Sequence, residues 1–210
     1  MLPSIPPSPV PEPGFPLVVS GPSGVGKTSL VQHLLEIDER CVRSISVTTR
    51  PQRAGESDCD SYFFLDEERF LQMREKGELA ESAIYGGFWY GTPRRVMEES
   101  LRAGRVVVLN IEVQGGAQIR SLYADAVLVF VLPPSWDDLE RRLLGRGTES
   151  PEVAARRIER AREELLAIHA YDYVVVNDDL QRCAADLHAI VRAERRRTRR
   201  LYPPDASPAS

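Results

Sequence analysis

A glycine-rich segment near the start of the chain carries the clearest chemical signal. Residues 21–28 read GPSGVGKT and fit the pattern G-x-x-x-x-G-K-[ST] of a phosphate-binding loop. The backbone N–H groups of such a loop surround a phosphate, its lysine reaches the terminal phosphates, and its last hydroxyl can ligate Mg²⁺. The alternative is a glycine-rich turn with an incidental lysine. The pattern predicts nucleoside triphosphate binding by Gly21, Pro22, Ser23, Gly24, Val25, Gly26, Lys27 and Thr28.

A second polar group follows about twenty residues later. Arg50 and Arg53 lie three residues apart beside a proline, with Ser46 before them and Tyr62 after them. Arginine guanidinium groups match the geometry of phosphate oxygens, so this set predicts a pocket for a second phosphate. The alternatives are that the arginines form surface ion pairs and that Tyr62 is a core aromatic residue.

The elements that must position these groups are those of an α/β protein. Short apolar runs alternate with longer helical periodicities, which is typical of a largely parallel sheet with crossover helices. Four β-branched runs predict buried strands, at residues 15–20, 105–110, 126–132 and 173–177. The phosphate-loop pattern lies between the first of them and a predicted helix at residues 28–35, the context that this motif requires.

Two regions interrupt the alternation. Residues 41–92 contain short β-like pieces around a helical stretch at residues 67–76, which predicts a small α+β insertion. Residues 137–169 are densely charged and predict two exposed helices. Insertions of this kind commonly supply substrate contacts and movable lids. Most lid arginines are expected to be solvated, namely Arg141, Arg156, Arg160 and Arg162.

Composition sets limits on the function. The chain has 210 residues and a formal net charge of −4, which argues against a protein held to nucleic acid by bulk charge. No apolar run approaches the length of a membrane span, and three scattered cysteines favour the cytoplasm. Disordered ends are predicted at the proline-rich residues 1–16 and at residues 202–210. The arginine-rich residues 192–200 are interpreted as a solvated helix end.

Further motifs give the chain a family resemblance. TTRPxRxGE, a YFF strand, E-(x)8-YGT, IEVQG, LPPS, RGTE and YDYVVVND occur in order with the phosphate loop. Together they resemble guanylate kinase, a P-loop kinase family that phosphorylates GMP with ATP in purine nucleotide metabolism. The likeness covers residues 17–201, which implies one domain with core segments 17–40, 93–136 and 170–201, a GMP-binding region at 41–92 and a lid at about 137–169. Asn110 departs from the family, because many relatives carry an acid there.

The resemblance implies individual roles. The GMP phosphate would be held by Arg50, Arg53, Tyr62 and Tyr90, and the guanine would face Ser46, Glu81 and Thr92 with Glu112 beside them. ATP would contact residues 21–28, Arg146 and Asn177, and the metal would be held by Thr28. The groups expected to act on the transferred phosphoryl group are Lys27, Arg50 and the lid arginines Arg142, Arg146 and Arg157.

The guanine set agrees with the chemistry of the base. Guanine presents N1–H and its 2-amino group as donors, and one carboxylate can accept from both. Adenine lacks these donors, so a buried carboxylate would lose roughly 1–3 kcal/mol for each missing partner. We therefore expect transfer from MgATP to GMP and dGMP.

Two other functions remain open from the sequence. A guanylate-kinase-like interaction module typically lacks an intact phosphate loop, which this chain has. A related kinase for a sugar phosphate such as ribose 1,5-bisphosphate would not require Ser46, Glu81 and Thr92. The sequence leaves the oligomeric state undetermined, either monomer or homo-oligomer.

Overall fold

The structure is a computed structural model that describes residues 12–53, 55–58, 62–144 and 151–202, without the side chains of residues 151–154. Most of the two predicted disordered ends lies outside the described residues. At the border of the first one, however, Phe15 is fully buried and Glu12 forms an ion pair with Arg40. The predicted boundary at residue 16 is therefore wrong, because the ordered chain begins earlier.

A five-stranded parallel sheet forms the centre of the fold, as the β-branched runs predicted. Its strands are β1 (Pro16–Ser20), β2 (Cys41–Arg43), β7 (Val106–Asn110), β8 (Val127–Leu132) and β9 (Tyr173–Val176), and the helices beside it are α1 (Lys27–Ile37), α3 (Arg94–Arg102), α4 (Val113–Leu122) and α7 (Leu180–Arg195). The strand order is β2-β7-β1-β8-β9, and each neighbouring pair is parallel. Alternating side chains of β1 enter two hydrophobic clusters, one with α1 and α7 and the other with α3 and α4.

The position of β2 corrects the predicted start of the insertion. This strand pairs with β7 in the central sheet, although the sequence assigned residue 41 to the GMP-binding region. Three residues are too few for the alternation of polar and apolar side chains to reveal a strand. The insertion therefore begins after Arg43.

The insertion itself is a second sheet with one helix. Its strand order is β4-β3-β6-β5, formed by β3 (Val47–Thr48), β4 (Phe63–Phe64), β5 (Leu79–Tyr85) and β6 (Phe88–Pro93), with α2 (Glu67–Glu75) in between. Phe70 of α2 stacks on Trp89 with ring centroids 5.6 Å apart and packs with Val47 and Leu79. This small separate core packs against the sheet whose strands β5 and β6 carry Glu81 and Tyr90.

Two helices form the region predicted as a lid, α5 (Trp136–Leu144) and α6 (Pro151–Leu166), and a 3₁₀ helix follows at Ala167–Ala170. Leu139 and Leu143 of α5 and Ala161 of α6 are buried together. Residues 145–150 between the helices, including Arg146, lie outside the described residues. No helix in the described part of the chain is long and apolar enough to cross a bilayer.

The arginine-rich end of the chain is not simply solvated, which corrects the sequence interpretation. Arg195 is buried and its Nη1 lies 2.8 Å from Asp38, while Arg200 is buried near Glu194 and Asp125. These partners lie far away in sequence or on another element, so a local charge count could not show them. The ion pairs of Arg195 and Arg200 thus anchor α7 and the short helix α8 (Thr198–Leu201) to the rest of the domain.

Candidate active site

A cavity of about 390 Å³ lies between the phosphate loop, the insertion sheet and the carboxyl end of β7. Parallel strands of α/β proteins commonly present their ligand sites at this end. The predicted site residues that line it belong to both the predicted ATP-binding set and the predicted GMP-binding set. They are Ser23, Gly24, Gly26, Lys27, Thr28, Ser46, Arg50, Arg53, Tyr62, Glu81, Tyr90 and Glu112. One space therefore joins the predicted donor and acceptor groups.

The phosphate loop is shaped by close backbone approach. Gly26 has φ of 96°, and a Cβ there would lie 2.4 Å from Asn177 Nδ2. The same amide group donates a 2.7 Å hydrogen bond to the carbonyl of Val25. Asn177 is thus a buried partner of the loop, and its predicted contact with ATP stays a prediction.

Lys27 and Thr28 stand at the start of α1, where the positive end of the helix dipole faces the cavity. The Lys27 ammonium donates to the carbonyls of Gly21 and Pro22. Thr28 Oγ1 accepts a 3.2 Å hydrogen bond from Asn110 Nδ2. Asn110 is the residue that departs from the family pattern. Asn110 therefore orients the hydroxyl that was predicted to ligate Mg²⁺.

Few protein ligands are needed for the predicted metal. The described residues contain no cluster of three or more His, Cys, Asp or Glu side chains that could hold a metal ion. Mg²⁺ in kinases keeps several waters and binds through one or two side chains plus the substrate phosphates. The oriented Thr28 hydroxyl beside the phosphate loop is compatible with such a site.

Arg50 is the most heavily constrained cation in the cavity. Its Nη2 lies 2.7 and 3.0 Å from the two Glu56 oxygens, and its Nε donates to the Tyr90 hydroxyl at 3.2 Å. The hydrogen bond that Arg50 donates to Glu56 raises the pKa of Arg50 and lowers that of Glu56. Glu56 also accepts from the Arg53 backbone N–H at 2.9 Å. Glu56 is the acid of the TTRPxRxGE motif, and the sequence alone assigned it no role.

The predicted tyrosines lie against this guanidinium group. The Tyr62 ring centroid is 5.5 Å from Arg50 Cζ and 5.9 Å from the Tyr90 ring, which meets it edge to face. Burial raises the pKa of Tyr62, so its hydroxyl remains a donor at neutral pH. Strands β3, β4 and β6 bring Arg50, Tyr62 and Tyr90 together, although they lie up to forty residues apart.

Glu81 is a buried acid at the guanine end of the predicted pocket. Its side chain is 4% exposed, and burial raises its pKa to about 7 despite a 2.7 Å hydrogen bond from Thr92 Oγ1. A Cβ at Gly115 would lie 2.7 Å from Glu81 Oε2, so α4 needs glycine at this contact. Thr92 is fully buried beside Glu81 and is not among the residues that line the cavity, so its contact with the base stays a prediction.

The lid helices reach the phosphate loop. Arg142 Nη1 and Nη2 lie 3.4 and 3.3 Å from the carbonyls of Val25 and Asn177. Arg157 Nη2 lies 3.4 Å from Ser23 Oγ. Two of the three predicted lid arginines thus lie beside the loop, and the third, Arg146, is outside the described residues.

Arg160 and Glu164 of α6 also contact residues that line the cavity, although the sequence assigned neither of them to the site. Arg160 was expected to be solvated, but its Cζ lies 4.1 Å from the Tyr85 ring centroid and its Nε donates to Glu164 at 3.1 Å. Glu164 is 4% exposed, accepts the Ser23 backbone N–H at 3.3 Å, and lines one cavity with Glu112. A charged helix face does not reveal such contacts, because they depend on where the helix is placed.

Comparison with known proteins identifies consistent relatives. The family model described as guanylate kinase matches residues 14–194. A guanylate kinase of Streptococcus agalactiae is 46% identical over 191 residues, covering 90% of this chain and 91% of that protein. One from Frankia casuarinae is 50% identical over 174 residues, covering 83% and 95%. The crystal structure of guanylate kinase from Anaplasma phagocytophilum superimposes with a TM-score of 0.76 at 34% identity, covering 92% of each chain.

Proposed function

The chain belongs to the guanylate kinase family, whose reaction is ATP-dependent phosphorylation of GMP, and we propose that it transfers the γ-phosphoryl group of MgATP to GMP and dGMP by direct in-line displacement. The observation that carries the proposal is the shared cavity, in which the phosphate loop and the arginine and tyrosine pocket face one space. Two substrates bound there would have their reacting phosphates side by side.

The proposed roles follow from the contacts. The loop N–H groups and Lys27 bind the β and γ phosphates of ATP, while Arg50 and Arg53 hold the GMP phosphate with the two tyrosine hydroxyls. An oxygen of the GMP phosphate attacks the γ-phosphorus as the bond to the ADP oxygen breaks. Phosphoryl transfer needs alignment and stabilisation of charge on the equatorial oxygens more than covalent help from the protein.

The lid has a separate part in this proposal. Arg142 and Arg157 already lie beside the phosphate loop, so a small movement of α5 and α6 would bring them to the transferred group. Arg146 is proposed to join them. Closure would exclude water, the competing acceptor of the phosphoryl group.

Mg²⁺ would be held by the Thr28 hydroxyl together with ATP phosphate oxygens, and when bound it would neutralise part of the phosphate charge. Asn110 donates to Thr28 Oγ1, so a lone pair of the hydroxyl remains for the metal while its orientation is kept. We place the reaction in the cytoplasm as part of purine nucleotide metabolism.

A coupled assay for ADP formation tests the proposed substrates directly. With MgATP we expect turnover of GMP and dGMP, and rates at least about a hundredfold lower with AMP or CMP, because neither base supplies the donor pair that Glu81 accepts. Turnover of AMP or CMP at rates comparable with GMP would contradict the base assignment, and turnover of ribose 1,5-bisphosphate in place of GMP would contradict the function.

Acidification is expected to weaken GMP binding through Glu81. Guanine N1–H and the 2-amino group bind the ionised carboxylate, and burial raises the pKa of Glu81 to about 7 in the free protein. GMP affinity should therefore fall as pH drops below about 7, approaching tenfold per pH unit. Calorimetric titration between pH 5.5 and 7.5 measures this slope.

The matched control is Glu81→Gln. This variant should bind GMP weakly, with nearly unchanged ATP affinity, and should lose the added acid dependence. The GMP phosphate itself titrates near pH 6 in both proteins, so the difference between the two curves isolates Glu81. Identical acid slopes in the two proteins would refute the assignment.

A further inference from the structure

Glu164 is a buried acid on α6 that the reaction steps described above do not use. Its Oε2 accepts the Ser23 backbone N–H at 3.3 Å, and its Oε1 accepts Arg160 Nε at 3.1 Å. Glu164 also lines one cavity with Glu112, the acid that lies beside the predicted guanine set, and burial and then the negative charge of Glu112 raise the pKa of Glu164. One lid residue therefore binds the donor loop and lies beside an acceptor-side acid.

A hydrogen bond between two carboxyl groups requires a proton on one of them. Glu112 shows the need for a donor independently, because its Oε2 is buried and has no hydrogen-bond partner among the described residues. Glu164 can supply that proton while still accepting from Ser23 or Arg160 through its other oxygen. The guanine donors can then bind a second lone pair of the same Glu112 carboxylate.

We propose that Glu164 is a positioning residue for GMP binding: its carboxylic acid donates a hydrogen bond to Glu112 and holds that carboxylate toward the guanine. This inference rests on the proposed function, since it concerns the same acceptor site. Because Glu164 belongs to α6, the acceptor site is complete when the lid helix lies against Glu112 and the phosphate loop.

The surroundings of Glu164 decide its protonation. Burial, followed by the negative charge of Glu112, raises the pKa of Glu164 to about 7, while Lys27 and Arg160 act in the opposite direction. Burial raises the pKa of Tyr85 and Tyr171, and the negative charges of the same two acids act on both tyrosines in the same direction. The donor is therefore present below about pH 7 and is lost as pH rises through that value, where two adjacent negative charges would also repel each other.

Two substitutions at one position separate the donor from the charge. Glu164→Gln keeps a donor at every pH, because an amide N–H₂ can replace the acid O–H. Glu164→Leu keeps the volume and removes the donor. Glu163→Gln and Glu163→Leu are matched controls, because Glu163 is the neighbouring exposed acid on the same helix.

Steady-state kinetics with GMP from pH 6 to 9, together with calorimetric ATP binding, form the test. At pH 6.5 we expect Glu164→Leu to raise KM for GMP about tenfold, a loss of about 1.4 kcal/mol, with smaller changes in kcat and in the Kd of ATP. The wild-type KM should rise above about pH 7, and Glu164→Gln should abolish that rise. Both Glu163 variants should follow the wild-type curve.

Several outcomes would overturn the inference. A wild-type KM for GMP in folded Glu164→Leu would do so, as would an alkaline rise that persists unchanged in Glu164→Gln. Thermal denaturation shows whether each variant is folded, and if the leucine variant is not, the pH profile of the glutamine variant decides alone. Failure of the proposed function is distinguishable, because the wild-type chain would then show no GMP phosphorylation at all.

Discussion

Replacement of Lys27 by alanine is expected to lower kcat for GMP phosphorylation by about 10³-fold, which corresponds to roughly 4 kcal/mol of transition-state stabilisation. Lys27 lines the cavity at the start of α1, and its ammonium lies against two loop carbonyls from which it can turn toward the phosphates. Charge spreads over the equatorial oxygens during transfer, so a cation at this place stabilises the transition state more than the ground state. Steady-state assays with saturating MgATP and GMP measure the loss.

The chain contains one other lysine, which provides a matched control. Lys76 is exposed at the end of α2 and lies outside the cavity, so Lys76→Ala should retain the wild-type kcat. Calorimetry on Lys27→Ala should show weakened ATP binding with nearly normal GMP binding. Full activity after removal of Lys27 would show that the glycine loop does not carry the donor phosphates.

The donor half of the site could be predicted because its information is local. A buried strand, a glycine loop and a helix follow one another within residues 16–37, and the motif places Lys27 and Thr28 without any distant contact. The central strands were similarly predictable, since β-branched runs covered on both faces leave a continuous apolar pattern. Strand β2 was missed because three residues leave almost no pattern.

The acceptor half shows the limit of a motif. TTRPxRxGE predicted that Arg50 and Arg53 belong to the site, and both line the cavity. The family resemblance also assigned Thr92 to the base and Asn177 to ATP, and the structure adds that their side chains donate hydrogen bonds to Glu81 and to the carbonyl of Val25. A motif marks residues on which the site depends, but the direction of a side chain follows from the tertiary packing.

Contacts between residues far apart in the sequence explain the remaining differences between the predictions and the structure. Glu164 meets Ser23 across 141 positions and Arg195 meets Asp38 across 157. Both residues lie in strongly charged helices whose sequences indicate solvated faces. Burial of an acid or an arginine in such a helix becomes visible only when the partner element is placed, because a buried charge needs a specific partner.

Removal of Arg50 is expected to raise KM for GMP by about 10²-fold or more. The Arg50 side chain is 7% exposed, lines the cavity and is held by Glu56 and Tyr90. Charge-assisted hydrogen bonds to a phosphate are worth about 1.5–3 kcal/mol each. Alanine would remove both of the hydrogen bonds that one guanidinium group can donate to one phosphate. Arg50→Lys should recover little, because an ammonium group cannot form the paired contacts or span the same partners.

A double-mutant cycle with Glu56 separates binding from positioning in this cluster. Glu56→Gln loosens the guanidinium without removing it, so we expect an intermediate rise in KM for GMP and little further loss when it is combined with Arg50→Ala. Arg69→Ala is the matched control, since Arg69 is an exposed arginine of the same insertion, on α2. If Arg50→Ala raised KM for ATP as strongly as that for GMP, the pocket would belong to neither substrate alone, and the division of the cavity into donor and acceptor halves would be wrong.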